Sequence, residues 1–62
     1  MDTTREDSMI RAHKAGIAEY KHNPQQTIST VAHNAKHCFA TVHEQDAYVA
    51  GFIGARTRDL PR

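Results

Sequence analysis

Apolar residues recur at steps of three and four from Asn23 to Ala55, and that spacing confines the chain to helices. Ile28, Val31, Ala32, Ala35, Cys38, Phe39 and Val42 keep one phase, which is the pattern of a helix with a single buried stripe. Ala47, Tyr48, Val49, Ala50, Gly51, Phe52, Ile53, Gly54 and Ala55 follow. They are equally apolar but fall out of phase with the first stripe. Strand-like alternation holds only across Thr27-Ile28-Ser29-Thr30-Val31, a run too short to outweigh the longer period.

Local signals divide the chain. Thr3-Thr4-Arg5-Glu6 fits a capping box, in which the Thr3 hydroxyl and the Glu6 carboxylate each take an unpaired backbone amide. A helix is expected from about Thr4 to Lys21, with Met9, Ile10, His13, Gly16, Ile17 and Tyr20 on one face. Gly16 in that face permits close approach of a partner backbone. His22-Asn23-Pro24 ends this helix, because a residue before proline is pushed out of helical geometry. Asn23 then reads as an N-cap with Pro24 at the first helical position and Gln26 completing the box. The linker is therefore short, and short linkers favour antiparallel neighbours.

His43-Glu44-Gln45-Asp46 poses the main structural question. Extending the heptad beyond Phe39 places Asp46 on the core face. Either the helix breaks near residue 43, with Thr41-Val42-His43-Glu44 capping a third helix, or one long helix continues and Tyr48 and Phe52 face a second subunit. The expected fold is an all-α antiparallel helical hairpin, with helices about 4–21 and 24–43. A third short helix or a helix continuation covers about 45–57. Residues 1–62 form a single small domain, with 1–3 and 58–62 as flexible ends.

A chain of 62 residues buries a small share of its surface, and domains of this size are often completed by disulfides, a metal or oligomerisation. One cysteine, Cys38, excludes an internal disulfide and favours a reducing compartment. No stretch reads as a signal peptide or a membrane span, so a cytoplasmic location is expected. A homodimer is the expected means of completing the core.

Few constellations carry chemistry. Five histidines invite a metal, and His33 and His37 share a helix face at the four-residue spacing of zinc ligands. No HExxH or CxxC motif accompanies them, and Cys38 lies on the flank of the apolar stripe. They read first as exposed surface histidines, and no cofactor is expected. His13 reads as a partly buried interface residue and Cys38 as core packing rather than a nucleophile. The carboxylates Glu6, Asp7, Glu19, Glu44, Asp46 and Asp59 show no acid–base pairing. The three glycines lie inside helical patterns, not in a phosphate loop. No enzymatic activity is expected.

Arg11-Ala12-His13-Lys14-Ala15-Gly16 and Ala47-Tyr48-Val49-Ala50-Gly51-Phe52 resemble the two ends of the ribosome modulation factor family. Those small helical proteins carry an Ala-x-x-x-Gly helix, a proline turn and an aromatic-x-x-Gly-aromatic segment. The resemblance covers about a dozen residues and implies ribosome association. The Pro24-to-Tyr48 spacing is longer here, and the family's strong basic charge is absent.

These readings converge on a small regulatory or inhibitory protein of bacterial or phage type. It would act by protein–protein interaction, on its own copy or on another protein, with no membrane role. Aromatic anchors carry much of the energy of such surfaces, which singles out Tyr48, Phe52, Val49 and Ile53, with Tyr20 in support. The alternative is nucleic-acid or ribosome binding through Arg56, Arg58 and Arg62, aided by Lys14 and Lys21. A net charge of +1 weakens it, because phosphate binding draws on basic surface.

Overall fold

A computed structural model describes residues 3–59, with side chains from Glu6 onward. The chain there is all-helical: α1 spans Thr3–His22, α2 Ile28–Cys38 and α3 Val42–Asp59. Of the expected loose ends, Thr3, Arg58 and Asp59 are helical. Residues 1, 2 and 60–62 lie outside the described part, as does the Thr3 side chain of the expected capping box.

The first connection differs from the sequence expectation. Helix α2 starts at Ile28, not Pro24. Asn23–Gln26 form a turn closed by the Gln26 amide on the Asn23 carbonyl at 3.3 Å. Pro24 fills the second position of that turn, where its fixed φ is as well suited as at a helix start. Thr27 is the true N-cap: its backbone is extended (φ −77°, ψ 155°) and its hydroxyl accepts from the Thr30 amide at 3.2 Å. Gln26 does not close a box with Asn23. Its side-chain amide donates to the Glu19 carboxylate on α1 and ties the linker to the preceding helix.

The second connection settles the phase problem. Helix α2 stops at Cys38, and Phe39 turns extended (φ −128°, ψ 138°) while its amide still reaches the Ala35 carbonyl. The Glu44 amide donates to the Thr41 hydroxyl at 3.2 Å, and that hydroxyl donates to the Glu44 carboxylate at 2.8 Å. Thr41 and Glu44 thus form a one-sided capping box on α3, the Glu44 carboxylate taking the cap hydroxyl instead of the cap amide. The Gln45 side chain closes the corner by donating to the Phe39 carbonyl at 3.0 Å. Two helices replace one long one, and each sets its own phase.

The order of packing also differs. Helix α1 lies against α3 and α2 lies against α3, with no direct α1–α2 pairing. The expected α1–α2 hairpin gives way because α3 offers α1 a closer seat. A Cβ on Gly16 would collide with the Tyr48 carbonyl and stand 2.9 Å from the Phe52 nitrogen. A Cβ on Gly51 would collide with the His13 carbonyl and stand 3.3 Å from the His13 Cα. The two helices therefore touch backbone to backbone. Early α1 (Met9, His13) lies beside Ala47, and late α1 (Ile17, Lys21) lies beside Ala55 and Arg58. The pair consequently runs in the same direction, and α2 with its two connections carries the chain back.

The interior is small. Ala12, Val31, Ala35, Tyr48 and Phe52 are buried, with Phe52 fully enclosed. Ala15, Tyr20, Phe39, Ala47 and Val49 pack around them. Tyr20 meets Phe52 edge-on at 5.5 Å between ring centres, and Phe39 tilts against Tyr48 at 5.2 Å. Of the expected α2 stripe only Val31 and Ala35 are buried. Ile28 and Cys38 are exposed at the two ends of the shortened helix, and Val42 is 66% exposed at the start of α3. The molecule is a slab of 41 × 22 × 15 Å, little thicker than a single helix.

Candidate functional site

The α1–α3 seam has an outer side that the core does not use. Helix α1 turns Ala12 and Gly16 inward, which leaves Met9 and Ile10 on its flank, Ile10 at 53% exposure. Met9, Ile10, His13, Lys14 and Ala47 line a groove of ≈ 370 Å³ with almost wholly apolar walls. Ile17, Tyr20, Lys21, Ala55, Arg58 and Asp59 line a second hollow further along the same seam. The small side chains of α3 make these depressions, and the larger ones of α1 form their walls. Contiguous exposed apolar surface of this kind marks interaction sites in soluble chains.

Tyr20 and Tyr48 each bring a phenol near a carboxylate, Asp59 and Glu19 respectively. The Tyr48 phenol is raised above its usual range first by burial, then by the charge of Glu19, with lesser help from Cys38 and a hydrogen bond to Glu19. Tyr20 is raised as well, first by burial and then by the Asp59 charge and hydrogen bond, with Arg56 opposing. Glu19 therefore serves both Tyr48 and Gln26, linking α1, the first connection and α3.

The anticipated docking residues are distributed differently from their sequence pattern. Tyr48, at 6% exposure, and Phe52 form the centre of the core rather than an outer face. Their apparent outward phase came from extending the α2 heptad across a break. Val49 and Tyr20 are half-buried. Ile53 alone of the five stands exposed, at 37%. Met9 and Ile10 belong to the apolar face expected of α1, but α3 leaves that part of the face uncovered. The signal that could have singled them out is Gly16, since the closest-approach residue marks where a partner helix sits.

Arg56 and Arg58 project from different sides of α3. Arg58 lines the seam beside Lys21. Arg56 stands two residues away, more than half a turn round the helix, and Arg62 lies outside the described residues. His13 has an exposed side chain while its backbone carries the contact with Gly51. Cys38 is exposed and free, which corrects the core-packing reading: α2 ends there and does not continue under a partner. His33 and His37 are exposed on α2, their Nε2 atoms 3.3 Å apart.

Among the described residues, no group of three or more His, Cys, Asp or Glu side chains could hold a metal ion, and no helix is long and apolar enough to cross a membrane. Comparison with protein-family models, with curated proteins and with solved structures gives no match.

Proposed function

We propose that this chain is a non-enzymatic binding protein of regulatory or inhibitory type that docks a second protein chain on the outer side of the α1–α3 seam. Its first occupant is a second copy of itself. The observation that carries this reading is the exposure of Met9 and Ile10 beside an apolar groove, in a molecule whose buried hydrophobic residues, among those described, are just Ala12, Val31, Ala35, Tyr48 and Phe52. The contact residues move from Tyr48 and Phe52 to Met9, Ile10 and Ala47.

The test is solution mass by light scattering across a concentration series, on the wild type and on Ile10→Asp. Ile10 lies outside the core, so the variant keeps its helical signal. The wild type should be a dimer and the variant a monomer. A folded wild type that stays monomeric at the highest concentration, with Ile10→Asp indistinguishable from it, overturns the reading.

A second reading rests on the cations of the same seam. Lys14, Lys21 and Arg58 line it, with Asp59 as the acidic member, which suits nucleic acid or ribosomal RNA. Each phosphate neutralised steepens the fall of affinity with salt by about 0.9 on a log–log scale. A salt-insensitive interaction, unchanged in Lys21→Gln and Arg58→Gln, excludes it.

A further inference from the structure

On the outward face of α2, two imidazoles bring their Nε2 atoms together. Val31 and Ala35 face the core, while His33 and His37 are exposed. Their rings meet at a 66° tilt with centres 4.7 Å apart, and their Nε2 atoms approach to 3.3 Å. A tetrahedral ion with metal–nitrogen bonds of about 2.0–2.1 Å sets its two nitrogens about 3.3–3.4 Å apart. The imidazoles thus already stand at the bite of such an ion.

We propose that His33 and His37 chelate one late first-row divalent ion, of the class of Zn²⁺, Ni²⁺ or Cu²⁺. Imidazole nitrogen favours these ions over Mg²⁺ or Ca²⁺, which take oxygen ligands. The site is open, since no third protein ligand accompanies the pair among the described residues; water fills the remaining positions. Ligation uses the Nε2 lone pair of both rings, so each imidazole binds the ion with its proton on Nδ1. The helix supplies the preorganisation: Thr27 fixes its start, and the Phe39 amide on the Ala35 carbonyl fixes its end. Because α2 packs on α3 alone, an ion bridging successive turns stabilises the least supported helix of the fold.

The experiment is calorimetric titration of the full chain with ZnCl₂ and NiCl₂, with MgCl₂ as the control, alongside thermal melts. One zinc or nickel ion should bind per chain, and a tenfold excess over Kd should raise the melting temperature by about 5 °C or more. His33→Ala and His37→Ala should each weaken binding by about 100-fold, since each removes the chelate advantage. Both positions are exposed, so the variants keep their helical signal. His22→Ala and His43→Ala should bind like the wild type. Equal binding by wild type and His37→Ala, or an equal response to Mg²⁺, overturns the proposal. So does weakening only in His22→Ala or His43→Ala.

Discussion

Helix α3 is held on its two sides by different physics. On the α1 side, Gly16 and Gly51 let two backbones meet, and nothing can be added there. On the α2 side, Val31, Ala35 and Phe39 fill space with side chains against Tyr48 and Phe52, and nothing can be removed there. One contact is intolerant of growth and the other of truncation, although the same helix makes both. Gly54 sharpens the contrast. It lies one turn from Gly51, yet a Cβ at that position meets nothing within 4 Å.

The largest expected effect strikes both sides together. Phe52 is fully enclosed and touches Tyr20 of α1, so Phe52→Ala should cost about 3–5 kcal/mol. Stability of small domains is of that order, and circular dichroism should report loss of cooperative unfolding. Next comes Gly51→Ala, whose new methyl group must push the His13 carbonyl away. Overpacking of this kind costs about 1–3 kcal/mol or more, so its melting temperature should fall well below that of the wild type. Gly54→Ala should do the opposite and stabilise by about 1 kcal/mol, since only helix propensity changes. If Gly51→Ala and Gly54→Ala melt alike, the close α1–α3 contact does not exist in solution. Thr41→Ala should cost about 1 kcal/mol through loss of the α3 cap, a smaller effect confined to the corner with α2.

The smallest effect is alkaline. Tyr20 and Tyr48 both hold their protons more tightly folded than unfolded. Their contribution is fully present below the ordinary phenol value of about 10 and declines as pH rises through the raised folded values. Melting temperature should therefore fall above about pH 10, and Tyr48→Phe should flatten that dependence. An unchanged slope in the variant shows that Tyr48 is hydrated in solution, which would loosen the α2 side of the comparison.

These outcomes bear on what the residues alone could reveal. Helix content and the role of Gly16 as a close-approach residue were legible because period and glycine placement are local. So was the capping box at Thr41. The partner of α1 was legible only in part: Gly16 announces a close neighbour and the small residues from Ala47 to Ala55 can supply one, but the short first linker points to α2 instead. The break before α3 carries neither glycine nor proline. It depends on Gln45 reaching the Phe39 carbonyl, a side-chain contact six residues apart that no apolar pattern records. Carrying the heptad across that break turned Tyr48 and Phe52 outward on paper. Pro24 was ambiguous because a turn and a helix start require the same φ.

The parallel course of α1 and α3 has an electrical consequence. Antiparallel neighbours cancel their macrodipoles, whereas parallel ones set like partial charges side by side at each end. The first turns answer with acids, Glu6 on α1 and Glu44 on α3, and the last turns with bases, Lys21 and His22 on α1 and Arg56 and Arg58 on α3. Helix α2 runs back and brings Lys36 and His37 toward the acidic end, which softens the asymmetry without removing it. A net charge of +1 thus conceals charges sorted by helix end, with Asp59 tempering the basic end of α3.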